Sequence, residues 1–200
     1  MRRPRGFTLI ELMVTVVILA VLAVVATASY IRYMRRAHTQ EAISMLGDIR
    51  IRQEMYYQAN SRYACSDGAD QNCGCQFFPT SPDPTDPTGD LPVTPAYESC
   101  ATATSAPRSA WCQLGLDPNG EFYFKYAFVG WDGQTTSKND CDGVTTCNGP
   151  NQDGCFALDP NKPWWFAVAH ANLDRDPHMT VSTFYMSSSL KQVVSFGDID

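Results

Sequence analysis

The sequence of 200 residues has few of the side chains that usually carry catalysis. Its three histidines, His38, His170 and His178, lie near no serine or cysteine motif, and the chain has neither an HExxH motif nor a glycine-rich phosphate loop. We therefore expect a protein that is not an enzyme. Positive charge is also scarce, because 15 lysines and arginines stand against 21 acidic residues and the net charge is −6. This balance argues against a generally basic nucleic-acid-binding surface, so no nucleic-acid partner is predicted.

Proline is absent between Phe7 and Gln58, and the first cysteine is Cys65. Nothing in this stretch interrupts a helix, so the simplest prediction is one helix of about 50 residues, roughly 75 Å long. Residues 12–28 are apolar apart from two threonines. From Phe7 to Tyr30 a helix spans roughly 36 Å, which exceeds the hydrocarbon core of a bilayer, about 30 Å. The sequence therefore predicts a single membrane-spanning helix.

Three arginines, Arg2, Arg3 and Arg5, precede the apolar run, and a basic flank is retained on the cytoplasmic side of a membrane. The predicted orientation in the inner membrane is therefore N-terminus in and C-terminus out. An ordinary secretory signal carries its small residues after the apolar core, whereas Gly6 stands before it. Cleavage at Gly6 would leave the helix on the mature protein and change the net charge to −9.

One carboxylate, Glu11, stands at the head of the apolar helix. An unpaired carboxylate costs several kcal/mol to bury in a bilayer, so the sequence favours a functional partner for it. Cleavage after Gly6 would create a free amine on Phe7, which can neutralise Glu11 of an adjacent chain. A simpler interpretation stands beside this one, because an acid in the first turn also complements the helix dipole.

The residues Gly6-Phe7-Thr8-Leu9-Ile10-Glu11-Leu12, between a basic leader and an apolar run, resemble the class III signal of type IV pilins and type II secretion pseudopilins. The resemblance ends at about residue 30. It implies cleavage between Gly6 and Phe7 by a prepilin peptidase and N-methylation of Phe7. It also implies polymerisation with other pilins or pseudopilins through a central helix bundle, at an assembly platform in the inner membrane.

The membrane helix departs from the pattern of many major pilins, which interrupt it with a glycine and then a proline. The matching positions here are Ala20 and Ala28. Without a proline the backbone hydrogen bonds of the helix stay intact. This departure favours a minor subunit.

The chain divides into four predicted segments: a leader at 1–6, a transmembrane and assembly helix at 7–30, the amphipathic half of the same helix at 31–60, and a globular domain at 61–200. Apolar side chains recur in the amphipathic half at three- and four-residue steps. We expect this stripe to pack on the protein's own sheet, with a partner-binding face as the alternative. His38 within it is expected to be a core or boundary histidine rather than a ligand. The stripe consists of Ile31, Met34, His38, Ala42, Met45, Leu46, Ile49 and Tyr56.

The second half of the chain carries strand patterns. Residues 111–116 and 121–131 are predicted to form a hairpin around the turn residues Asp117-Pro118-Asn119-Gly120, with further strands at 164–171, 180–187 and 190–196. An aromatic face, made of Phe122, Phe124, Tyr126 and Phe128, alternates along residues 121–131, and the amphipathic helix can cover it. The predicted fold class is α+β and pilin-like: a long N-terminal transmembrane helix packed on four or five antiparallel strands, with long disulfide-stapled loops.

All eight cysteines lie between residues 65 and 155, and an even count in an exported domain predicts up to four disulfides. They are Cys65, Cys73, Cys75, Cys100, Cys112, Cys141, Cys147 and Cys155. Zinc held by thiolates is the alternative around Cys73 and Cys75, but the spacing is not a repeated CxxC. Seven prolines between residues 64 and 110 argue against a regular helix or central strand there, so this stretch is predicted to be a long loop. Disulfide bonds would restrict the conformations of such a loop.

Two acidic stretches are candidate binding surfaces. The tip at 83–90 is either a contact surface or a solvated turn. Residues 132–163 contain oxygen ligands at a density that suits calcium, although the spacing is not that of an EF-hand. The calcium candidates are Asp140, Asp142 and Asp153, and no other cofactor is predicted. A later turn resembles the acid-rich strand connection of many pilins and pseudopilins, but Arg175 and Pro177 depart from it, so Asp174 and Asp176 are assigned no calcium.

These observations lead to three hypotheses for function. The first is a structural subunit of a type IV pilus, minor or major, which serves adhesion, motility or DNA uptake from an extracellular filament. The second is a pseudopilin of a type II secretion system, in a periplasmic pseudopilus. The third is a membrane-tethered periplasmic domain that binds a ligand or acts as an enzyme.

Overall fold

The structure is a computed structural model that describes residues 7–66, 75–89, 91–96, 98–104, 106–117, 119–131, 162–173, 175, 182–189 and 192–196. Its elements are two helices, α1 (Leu9–Asn60) and α2 (Ala106–Gln113), and four strands, β1 (Lys125–Trp131), β2 (Trp164–Ala171), β3 (Ser182–Ser187) and β4 (Val194–Phe196). The strands form one antiparallel sheet in the order β1-β2-β3-β4. The predicted α+β class, a long N-terminal helix with an antiparallel sheet, is confirmed.

Helix α1 runs without a break through Ala20 and Ala28. It ends where expected, because Ser61 adopts the left-handed conformation (φ 58°) and donates its backbone N–H to the Tyr57 carbonyl at 2.8 Å. A left-handed residue directly after the last turn satisfies an orphaned carbonyl and turns the chain away. The prediction of one continuous helix is confirmed.

The second half of α1 packs on β2 and β3. Ala42, Leu46 and Ile49 from the predicted stripe are fully buried, whereas Ile31 near its start is 48% exposed. The buried helix residues share one core with the predicted aromatic face, Phe122, Phe124, Tyr126 and Phe128. The stripe therefore packs on the protein's own sheet, as the sequence predicted.

The sheet is buried on its other face as well, which the alternating pattern did not predict. The chain after α1 passes β1 at Tyr63, on the α1 side of Gly130, and a Cβ on that glycine would lie 2.6 Å from the Tyr63 Cβ. Cys65 then joins a second cluster, which Phe77 of the following loop packs against. The strand residues of this cluster are Ala127, Val129, Trp131, Trp164, Phe166 and Val168. Side chains from both faces of β1 and β2 thus lie in a hydrophobic core.

The predicted strand at residues 111–116 is wrong, because α2 occupies residues 106–113. Pro107 lies in the first turn of this helix, where a missing backbone N–H costs nothing. The helix is followed by Gly115 at φ 69°. Trp111 is fully buried against Phe78 and Phe128, so tertiary packing outweighs the strand propensity of tryptophan. The prediction that the loop at 64–110 contains no helix is wrong at its end for the same reason.

The predicted hairpin is therefore also wrong, and the strand after it begins four residues later than predicted, at Lys125. The Pro-rich loop instead forms two isolated β-bridges with the chain around the start of β1. Phe78 pairs with Tyr126, and Val93 pairs with Phe122. Pro79 directly follows the first bridge and has no backbone N–H to extend it. Short pairings of this kind cover an edge strand against association with other chains.

Candidate assembly site

The first turn of α1 forms a reciprocal cap around Glu11. The Thr8 backbone N–H donates to the Glu11 carboxylate at 2.9 Å, and the Thr8 hydroxyl donates to it at 2.7 Å. In return the Glu11 backbone N–H donates to the Thr8 hydroxyl at 3.4 Å. This capping box holds the carboxylate at the N-terminal end of the helix, four residues after Phe7 in the chain.

The sequence analysis named Glu11 but missed Thr8. The signal was present, because threonine followed by glutamate three residues later, just before an apolar run, is the signature of a capping box. The predicted processing residue Phe7 is 80% exposed. Gly6, the other residue of the predicted cleavage site, lies outside the described residues.

Beyond the cap, α1 presents an apolar surface that the described globular part of the chain does not cover. Leu9, Leu22 and Val25 are all more than half exposed, as are the other large apolar residues between them. Within the part of the chain that the structure describes, α1 is the one helix long and apolar enough to cross a membrane by length and composition. An apolar helix surface of this size needs lipid or other helices around it.

Polar side chains of α1 fix its second half to the globular part. Gln53, fully buried, donates its side-chain N–H to the Ala64 carbonyl and accepts from the Ala64 N–H, both at 2.9 Å. Glu54 accepts a hydrogen bond from the Trp165 indole at 3.0 Å. Burial, together with the Glu54 carboxylate, raises the pKa of Tyr63 to about 12. These contacts set the position of the helix relative to the sheet, and apolar periodicity alone gives no sign of them.

The Glu41 carboxylate is a further, partly buried anchor. It accepts from the Tyr126 hydroxyl at 2.8 Å and from the Tyr123 backbone N–H at 3.0 Å. Burial raises the pKa of Glu41 above its usual value, although these hydrogen bonds oppose the rise. The same burial, together with the Glu41 charge, raises the pKa of Tyr126 far above its usual value. The pair links α1 to β1 through a hydrogen bond between two groups that both resist ionisation.

His38 lies at the boundary between α1 and the globular part, as expected. Its ring stacks on Tyr123 with centroids 3.6 Å apart. Burial lowers the pKa of His38, which favours the neutral imidazole. The described residues contain no cluster of three or more histidine, cysteine or acidic side chains that could hold a metal ion.

The acidic tip is tied to the sheet at one end. Asp83 forms an ion pair with Lys125 at 3.1 Å and accepts from the Thr85 backbone N–H at 2.9 Å. Burial of the Asp83 carboxylate opposes ionisation, but the hydrogen bonds from Thr85 and the Lys125 charge outweigh it and lower its pKa. Asp86 makes a similar turn with Thr88, and its carboxylate is exposed. Asp83, in the first half of the tip, thus holds the loop to the sheet, and the exposed half around Asp86 and Thr88 forms a turn.

Four of the candidate cysteines lie in the described residues, and all four are disulfide-bonded: Cys65, Cys75, Cys100 and Cys112. Cys100 pairs with Cys112 and links α2 to the loop before it. Cys73, Cys141, Cys147 and Cys155 lie outside the described residues, as do the calcium candidates Asp140, Asp142 and Asp153 and the turn residues Asp174 and Asp176. The full set of four bridges and the calcium site therefore stay predictions.

Comparison with protein families finds one match, to the prokaryotic N-terminal methylation motif at residues 1–27. The match covers the leader, the capped first turn with Glu11 and most of the apolar run. Neither the curated proteins nor the solved structures contain a match to this chain. The methylation motif thus lies at the start of a long helix whose exposed apolar half precedes an α+β domain. The chain carries the signature of the type IV pilin and pseudopilin family.

Proposed function

We propose that this protein is a structural subunit of a type IV pilus, a minor subunit rather than the major one, and not an enzyme. The observation that supports the proposal is the apolar half of α1, which is exposed in the single chain and begins with a processing and methylation motif. A membrane holds such a helix before assembly, and a bundle of equivalent helices replaces the lipid afterwards. The resulting filament serves adhesion, motility or DNA uptake.

The proposed sequence of events begins with N-in, C-out insertion, for which Arg2, Arg3 and Arg5 are the cytoplasmic flank. A prepilin peptidase then cleaves after Gly6, and Phe7 is N-methylated. The assembly platform in the inner membrane next transfers the subunit into the filament, where other pilins surround the helix. The unbroken path of α1 through Ala28 supports the minor role, because the subunit cannot unwind there as a proline-interrupted helix can.

Glu11 is the residue proposed to act in assembly, through the Phe7 amine of a neighbouring subunit. In the single chain its carboxylate is held by Thr8, so a purely local capping role is the competing explanation. Two variants distinguish these explanations by experiment. Glu11→Ala removes both the charge and the cap, whereas Thr8→Val removes the hydroxyl cap and leaves the charge.

The test compares incorporation of Glu11→Ala, Thr8→Val and the unchanged chain into sheared filaments, at equal levels in the membrane. Mass spectrometry of the membrane pool first verifies that each chain is cleaved after Gly6. We expect incorporation of Glu11→Ala to fall by more than about tenfold, since removing one member of a buried ion pair costs about 2 kcal/mol or more. Thr8→Val loses a cap worth about 1 kcal/mol to the helix and is expected to assemble normally.

Equal losses for the two variants would assign Glu11 to capping and contradict the assembly role. The same preparations separate the pilus from its main alternative. A chain that is processed and needed for protein secretion, but is missing from extracellular filaments, would be a pseudopilin of a type II secretion system.

A further inference from the structure

Arginines flank the apolar run of α1 on both sides in equal number. Three lie in the predicted leader, and three follow the end of the run within eight residues. Lysine is absent from both flanks. The leader arginines are Arg2, Arg3 and Arg5, and the outer arginines are Arg32, Arg35 and Arg36. A basic flank favours the cytoplasmic side of a membrane, so the two flanks favour opposite orientations of the same helix.

The outer arginines lie just beyond the membrane span. Helix α1 continues without a break from the apolar run through them, so Arg32 lies about 6 Å and Arg36 about 12 Å beyond Ala28 along the helix axis. Tyr30 and Tyr33, both exposed, lie on either side of Arg32, and tyrosine is enriched at the membrane interface. All three outer arginines are therefore within the distance, about 15 to 20 residues from the end of a span, over which basic residues influence orientation.

The influence of a flank on orientation depends on its arginines and lysines rather than on its net charge. Acidic residues contribute little, so the interactions that the outer arginines make in the folded protein do not alter the count. A membrane potential that is negative inside opposes the outward transfer of each arginine. Export of the globular domain carries the outer arginines across, whereas the inverted orientation carries the leader arginines across. The two transfers balance only while the leader arginines are present.

We propose that the outer arginines oppose export of the globular domain, and that the leader arginines balance this opposition and hold the N-terminus inside. The inference deepens the N-in, C-out insertion proposed above and rests on it, but it does not rest on the filament role. Cleavage after Gly6 removes every leader arginine and leaves the outer arginines in place. The leader thus has a role in orientation that is separate from its role in processing.

The experiment measures the orientation of the full chain in bacterial spheroplasts with two maleimides, one that crosses the inner membrane and one that does not. The cysteines of a domain kept inside are reduced and react only with the permeant reagent. Extraction at high pH verifies that the labelled chain is embedded in the membrane. The leader variant, Arg2→Gln with Arg3→Gln, is expected to raise the inverted share more than about fivefold, the ratio that one basic residue supplies at an anionic surface.

The decisive variant adds Arg32→Gln and Arg36→Gln to the leader variant. One arginine then remains on each side, so the inverted share is expected to return to that of the unchanged chain. Both substituted residues are exposed, which favours an intact fold. The matched control instead adds Arg50→Gln and Arg52→Gln, two exposed arginines of the same helix that lie more than 20 residues beyond the run. This control is expected to stay inverted.

An inverted share that does not change in the leader variant would overturn the proposal, because the domain would then set its own orientation. It would also be overturned if the Arg32 and Arg36 pair failed to restore export, or if the Arg50 and Arg52 pair restored it equally well. Leader cleavage, read from the intact mass, is a second measure that does not depend on folding, and it is expected to return together with export. An unchanged chain that is itself inverted would instead contradict the insertion proposed above.

Discussion

At the scale of single residues, Glu41 connects the helix to the sheet through a carboxyl group that is mostly buried. The folded protein holds the Glu41 proton more tightly than the unfolded chain does, because burial raises the pKa above its usual 4.5. At pH values between the usual pKa and the raised pKa of Glu41, the folded state therefore binds more protons than the unfolded state. The linkage between proton binding and folding makes the free energy of unfolding fall as pH rises through this window.

Glu41→Gln is predicted to remove this pH dependence, because the amide oxygen still accepts from Tyr126 and carries no charge. Tyr126→Phe is predicted to widen the window toward higher pH, since it removes a hydrogen bond that lowers the Glu41 pKa. Thermal unfolding of the full chain in detergent, followed by tryptophan fluorescence from about pH 4 to about pH 8, measures both effects. Identical pH profiles for the unchanged chain and Glu41→Gln would show that Glu41 is not the group responsible.

At the scale of elements, the second half of α1 carries large apolar residues on its exposed face as well as on its buried face. Leu46 is fully buried against the sheet, whereas Ile51 is 59% exposed on the same helix. Both are large aliphatic residues within five positions of each other, so their chemistry alone does not distinguish them. The sheet decides which of them contributes to stability.

Leu46→Ala is predicted to lower the free energy of unfolding by about 2 to 5 kcal/mol, because it removes buried apolar surface and leaves a cavity. Ile51→Ala is the matched control, and exposed substitutions of this kind change stability by about 0.5 kcal/mol or less. Urea unfolding of the full chain in detergent gives both values. A cost for Ile51→Ala as large as that for Leu46→Ala would contradict the described packing of α1.

At the scale of the whole molecule, a disulfide ties a loop to the second helix in the described part of the chain. The Cys100–Cys112 bridge closes a short loop onto α2, and Arg108 strengthens the same corner by contacting Asp117 and the Glu98 carbonyl. A bridge over this separation stabilises a fold by about 3 kcal/mol in the chain-entropy account. The oxidised cysteines fit a domain that is exported rather than kept in a reducing compartment.

The prediction for the whole chain is that all eight cysteines are oxidised in the exported protein. Alkylation of metal-free protein before reduction should label no thiol, and alkylation after reduction should label eight. Intact-mass measurement counts the labels in both samples. Two or more labels before reduction would contradict a fully bridged domain.

The sequence by itself determined the features that depend on local chemistry. The absence of proline from Phe7 to Gln58 allows one long helix, and helix geometry shows that its apolar run is long enough to cross a membrane. The motif from Gly6 to Glu11 carries the signature of the type IV pilin and pseudopilin family, and sequence alone reveals it because it is a local stretch of chain. Strand β2 was also predicted with its observed bounds, since a continuous run of tryptophan, phenylalanine and valine is typical of a buried strand.

Only the tertiary structure decided the features that depend on residues far apart in the chain. Trp111 lies in a helix because the aromatic core around Phe78 and Phe128 accepts its ring there. The second buried face of the sheet exists because Cys65 joins strand residues such as Val129, 64 positions later in the chain, in one cluster that no periodicity reveals. Local patterns report on neighbours within a few residues, whereas burial is decided by which distant segments meet.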